Sequence, residues 1–145
     1  MSNAIQTAVL LDAIRSAIVA AWPAMAISYG APRTPVAAPY AVVSADSVAV
    51  SFTGVSASLL GTSQENRFSI VGRFPFPSDA TSIIELQKVS YANELIAQLQ
   101  SGGSFASIGM FPLVKGIDFS ESDDPNERVF EVTLLFSVIT MATHH

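Results

Sequence analysis

The chain contains no cysteine. That absence excludes disulfides, thiolate metal sites and cysteine nucleophiles together, and it suits a reducing compartment. Histidine is almost as scarce, since His144 and His145, the last two residues, are the only ones. Chain ends are usually mobile, whereas a general base needs a fixed position. Neither histidine therefore reads as catalytic, and no Ser-His or Cys-His arrangement can be built around them. Charge is thin as well: 13% of residues are charged, against about a quarter in ordinary soluble domains. The seven Lys and Arg are scattered among twelve Asp and Glu, for a net charge of −5. Affinity for phosphate comes from clustered cations, so this is a poor nucleic-acid binder.

Long apolar runs are missing too. The longest, Ala17 to Ile27, is broken by Pro23, and a spanning helix needs about 20 apolar residues. No Lys or Arg precedes Arg15, so there is no basic region of the kind that opens a secretory signal. The expectation is a protein made and kept in a cytoplasm, without a membrane partner. Phosphate cradles are absent: Gly102-Gly103 follows a helical stretch instead of preceding one, no Gly-Lys-Ser/Thr occurs, and the spacing of Gly54 and Gly61 carries no signal. The carboxylates Asp118, Glu121, Asp123, Asp124 and Glu127 lack the alternation and glycine of a calcium loop, and Pro125 interrupts them. They read as a solvated hairpin tip. No cofactor and no metal are expected, and the chain does not read as an enzyme.

What the chain has in plenty is apolar surface. Half its residues are hydrophobic and its mean hydropathy is +0.44. At 145 residues it suits one domain, 1–145. One core leaves apolar surface to spare, and such surface usually ends in a protein interface.

Periodicity supplies the elements. Leu10, Ile14, Ala17, Ile18 and Ala21 follow helical spacing, which predicts a helix from about Ala4 to Ala21 that ends at Trp22-Pro23. Val9 and Val19 lie off the stripe and suggest burial against two surfaces. Ala24–Tyr29 reads as a strand, and the proline-containing stretch 30–39 as a loop. Tyr40–Ala45 and Val48–Thr53 read as two strands joined by a tight Asp46-Ser47 connection. Residues 54–65, small and polar apart from Leu59-Leu60, read as a mobile loop. In Arg67–Phe76, Phe68, Ile70, Phe74 and Phe76 fall on one face, while Arg67, Ser69, Val71 and Arg73 fall on the other. The phenylalanines could resemble a base-stacking platform, but their alternation and the low basic charge make them a core stripe. A second helix is expected from about Asp79 to Gln100, capped by Ser78 or Asp79, with Val89, Ala92, Ile96 and Leu99 at helical spacing and Leu95 beside them. Strands Phe111–Phe119 and Val129–Met141 follow, joined by a second mobile loop, 120–128. The fold class is α+β, in the order α-β-β-β-β-α-β-β. It has an antiparallel sheet of about five to six strands and two helices on one face. The opposite face, with Val71, Leu135 and Ile139, would need another subunit or a loop to cover it.

The order of elements carries a resemblance. Ile27-Ser28-Tyr29-Gly30-Ala31-Pro32 is followed by Ala38-Pro39-Tyr40-Ala41-Val42-Val43. Then come Arg67-Phe68-Ser69-Ile70-Val71-Gly72-Arg73-Phe74, a capped helix and a hairpin with an acidic tip. This layout, over nearly the whole chain, resembles the tail-terminator and tail-completion proteins of long-tailed bacteriophages. The resemblance implies a non-catalytic virion protein of the neck, assembled in the host cytoplasm as a hexameric ring of itself. One ring face would cap the tail tube protein and the other would dock on a head-completion or connector protein. DNA would pass through the hole without sequence-specific binding, and acidic walls would let it pass without sticking. Leu59 and Leu60, Arg67 and Arg73, and Glu121, Asp123, Asp124 and Glu127 are the candidate interface residues. Two other readings stand beside this one. One is another phage head-completion or baseplate subunit; the other is a small-ligand-binding α+β domain, which would need a pocket with converging polar groups.

Overall fold

A computed structural model describes residues 3–23, 25–30, 38–56, 59–76, 83–100, 105, 112–122 and 128–144. Helix α1 spans Asn3–Ala21. Its buried residues Leu10, Ala13, Ile14, Ala17, Ile18 and Ala21 recur at the helical period. The amide of Trp22 donates to the Ile18 carbonyl at 2.7 Å and closes the last turn, and Pro23 cannot extend it. Of the two residues off this stripe, Val9 is half-buried and Val19 is exposed.

Strand β1 (Ala26–Tyr29) pairs with β2 (Tyr40–Ser56) in parallel. Gly30, at φ 77°, takes a left-handed conformation that L side chains rarely adopt, and ends β1. β2 pairs antiparallel with β3 (Leu59–Pro75). Helix α2 (Ile84–Gln100) follows, then β4 (Pro112–Glu121) and β5 (Val129–His144). The sheet order is β1-β2-β3-β5-β4. The α+β class therefore holds, with two corrections. The sheet is mixed, because β1 runs parallel to β2. Among the described residues three strands, not four, precede α2, because β2 is continuous through Asp46-Ser47, where a bulge between Ala45 and Ser47 replaces the expected turn. A bulge absorbs one extra residue without ending a strand.

A further correction concerns residues 54–65, expected as a loop: the described part, 54–56 and 59–65, is strand, with Ser56 opposite Leu59 and Thr53 opposite Gly61. β5 runs alongside, from Val138 opposite Asn66 to His144 opposite Leu60. Leu59 and Leu60 thus begin a strand, and His144 ends one. Helix α2 begins at Ile84, later than expected, with the Leu86 amide donating to the Ile83 carbonyl. The proposed caps Ser78 and Asp79 lie outside the described residues. The phase of α2 also differs: Lys88, Ala92, Leu95 and Leu99 are buried and Val89 is exposed.

Both helices contribute to one core on one sheet face, with Ala41 and Val43 of β2, Phe68, Ile70 and Phe74 of β3, and Phe130, Val132, Leu134, Phe136 and Val138 of β5. At one end the core is aromatic. Trp22 meets Phe74 edge-on at 5.1 Å, Phe74 stacks on Tyr91 at 4.0 Å, and Phe130 lies 5.4 Å from Phe74. The Trp22 indole donates to the Tyr91 carbonyl at 3.1 Å, tying α1 to α2. Gly72 makes room for this packing: a Cβ there would stand 2.8 Å from the Trp22 ring and 2.9 Å from the Phe74 ring. Neither ring can retreat without disturbing the other. Gly72→Ala should therefore destabilise the chain by about 1–3 kcal/mol, read as a lower urea midpoint at unchanged slope.

Candidate functional site

The sheet face opposite the helices is open among the described residues. Leu113, Leu135 and Ile139 are 45%, 37% and 45% exposed there, the last two as the alternation in β5 required. The register sets Leu113 beside Ser137 and Arg67 beside Ser137 in turn, so β4, β5 and β3 present one surface. Ser137 is fully buried within it.

A charged cluster occupies the middle of this face. Glu65 and Arg67 stand two apart on β3, and the guanidinium donates to the carboxylate at 3.4 Å. The Lys115 ammonium lies 3.7 Å from the same carboxylate. Lys115 falls at the bulge between Val114 and Gly116, and Asp46 at the bulge in β2. Bulges re-aim side chains, and both residues line the same open hollow of about 510 Å³ with Glu65, Arg67 and Leu135. Asp46 accepts a hydrogen bond from the Ser69 hydroxyl at 3.2 Å. The hydrogen bond from Arg67, together with the charges of Arg67 and Lys115, outweighs burial and holds the Glu65 carboxyl below its ordinary value. A carboxylate with a depressed folded pKa stabilises above its unfolded value, and loses that contribution as pH falls through the folded value. Replacing Glu65→Gln should lower the urea midpoint near neutrality. The gap to the parent chain should close as pH drops below 4.5, the ordinary value for this carboxyl.

Arg73 faces the same side. Its guanidinium lies 3.3 Å from Glu131, donates to the Tyr40 hydroxyl at 3.1 Å and sits over the Tyr40 ring. Arg67 and Arg73 are therefore off the core, as expected, and each has an acidic partner within its own chain. Arg73→Glu would face a second carboxylate towards Glu131 and remove the ring contact, so it should lower the stability of the isolated chain itself, by roughly 1–3 kcal/mol, in a urea titration.

Glu121, expected at a free acidic tip, is the end of β4 and lies 3.3 Å from the Lys88 ammonium, which Glu85 also approaches at 3.1 Å. Burial would push the lysine pKa down; the two carboxylates outweigh it and hold it above its usual value. Asp123, Asp124 and Glu127 lie outside the described residues. The 120–128 stretch is partly strand: the Ser122 amide donates to the Val129 carbonyl at 3.0 Å and brings the β4–β5 hairpin together. Leu59 and Leu60 are fixed by backbone register far from Arg73, at the other end of β3.

Sequence reading missed the apolar strip Ile83, Leu86 and Val89 on the outer side of α2, all exposed; the i, i+3 spacing was there to be read. It also missed a second hollow of about 300 Å³ between Trp22, Met25, Pro39, Phe74 and Tyr91, at the aromatic end. Chemically, the described residues offer ion pairs and apolar area. No group of three or more metal-ligating side chains occurs among the described residues. No helix among them is long and apolar enough to cross a membrane. No protein-family model and no curated protein matches the chain.

Proposed function

We propose that the chain is a non-catalytic structural subunit that assembles with copies of itself into a ring, as a tail-terminator or neck protein of a long-tailed bacteriophage. One observation carries this reading: a five-stranded sheet with both described helices on one face, whose other face exposes Leu113, Leu135 and Ile139 around a neutralised charge cluster. An antiparallel sheet facing water is normally polar on that side. Apolar side chains there, in a chain only 13% charged, fit burial against another subunit. The two ends of the sheet also differ. One is aromatic, with the hollow beside Trp22; the other is a three-stranded arm of β2, β3 and β5 that continues beyond the core residues Phe68 and Val138. A subunit placed between a tail tube and a head needs two unlike ends.

The competing ligand-binding reading would use the 510 Å³ hollow. Its cations and carboxylates already neutralise one another, which favours an interface over a pocket awaiting a charged ligand.

Native mass measurement and electron microscopy of the purified chain test the proposal. A ring with a central hole, of six subunits if the phage resemblance holds, is the expected result. A 15.3 kDa monomer at all concentrations, also with tail tubes present, would refute it. Leu135→Asp with Ile139→Asp should leave the fold weakened by about 1 kcal/mol or less per site and abolish assembly. Assembly at the parental concentration would place the interface elsewhere.

A further inference from the structure

The backbone of the arm carries two open edges. β1 covers β2 only from Tyr40 to Val43. Beyond Val43, the β2 edge facing away from β3 has no partner strand among the described residues. Among the described residues β4 covers β5 only as far as Val138, and none of them pairs with Ile139–His144 on the side away from β3. Both stretches belong to the same three-stranded arm, on opposite sides of it and at the same level: Val50 is opposite Gln64, and Gln64 is opposite Thr140.

Open edges present a row of unpaired backbone donors and acceptors, and proteins blunt them with lysine, proline or charge. Here Ser44–Ser56 has Asp46 as its single charge, and Ile139–His144 has none; neither stretch contains lysine or proline. Between the irregularities at Ala45/Ser47 and Thr53/Ser56, the register of β2 is unbroken. These are edges left fit for pairing.

We infer that the arm joins copies of this chain edge to edge, the open β2 edge of one copy pairing with the open β5 edge of the next. The occupant is a second copy because only it supplies, at the matching level and with equally low charge, the complement that each edge lacks. β2 and β5 both run antiparallel to β3, so they run parallel to each other within one chain. A rotation about a ring axis keeps that sense, and the new pairing is parallel. It is a heterologous contact, in which each copy uses one edge to give and the other to receive, and such contacts close into rings. Pairing of like edges, β2 with β2 or β5 with β5, would instead be two-fold and antiparallel. The main-chain hydrogen bonds supply adhesion as in strand addition elsewhere, and the exposed Ile139 and Val48 at the base of the arm lie beside the joint. The inference rests on the self-assembly in the proposed function and adds where the copies join.

The absence of native cysteine makes disulfide trapping clean. Within one chain β2 and β5 are separated by β3, so level positions stand roughly 9–10 Å apart, beyond the about 7 Å that a disulfide spans. Any disulfide between them must join two chains. Cysteines placed at Ala49, Val50 or Ser51, each combined with one at Thr140, Met141 or Ala142, cover the neighbouring registers. After mild oxidation, at least one combination should run as a ladder of covalent multimers on a non-reducing gel, with loss of most monomer, while every single-cysteine variant stays monomeric. Circular dichroism identifies combinations that fail to fold, and these are set aside. Rings visible by microscopy with no cross-linked combination would overturn this inference and leave the ring standing. Dimers from single-cysteine variants would overturn it in favour of like-edge pairing. Monomers without rings would overturn both.

Discussion

The contact between the Trp22 ring and the bare backbone at Gly72 is the point on which the rest of the structure depends. Trp22 is the last residue held by the hydrogen bonds of α1, Gly72 lies in the central strand β3, and Phe74 and Tyr91 close round the indole from β3 and α2. Three elements distant in sequence are fixed by one close approach that a single methyl group would prevent. A buried indole must also place its N–H, and the Tyr91 carbonyl receives it. The helices are thereby anchored at one end of the sheet.

Anchoring at that end has a consequence at the other. From the aromatic end, the buried side chains extend along β3 to Phe68 and along β5 to Val138, and no further among those described. Past that line β2, β3 and β5 continue as a three-stranded ladder. There the Asn66 side chain donates to the Val138 carbonyl at 3.0 Å. Backbone pairing there is shared by three strands, where a two-stranded hairpin alone would be marginal.

The alternation Phe68, Ile70, Phe74 against Arg67, Ser69, Val71, Arg73 was legible in the sequence because both faces of β3 have sharply different surroundings. The end of α1 was legible because proline leaves no choice. Residues 54–65 misled because Gly54, Gly61 and the serines are weak strand formers. Residues 60–65 pair with Ile139–His144, a partner about 80 residues away that no local pattern announces; sheet preference is set by such neighbours more than by the residue itself. Lys88 misled in another way. A lysine is expected outside, so the helix phase was drawn through Val89, but Glu85 and Glu121 neutralise Lys88 where it is buried, as a buried charge requires. The candidate site was half legible: Leu135, Ile139 and the two arginines were placed on the correct face, whereas the bulges that bring Asp46 and Lys115 together have no signature in composition.

Low charge acquires a different meaning once its placement is known. On the open face the cations and anions form short local pairs: Arg67 and Lys115 with Glu65, and Arg73 with Glu131. A face whose charges are mutually satisfied can be covered by a neighbour without stranding an ion, because each partner needed to offset desolvation is already in place. The apolar residues around those pairs then supply the gain on burial, on the order of 25 cal/mol for each Å² removed from water. Had the same charges been spread singly over the face, each would have opposed covering it. Paired charge beside exposed Leu113, Leu135 and Ile139 is thus the physical reason to read this face as made for contact with another chain, and it needs no reactive group anywhere on it.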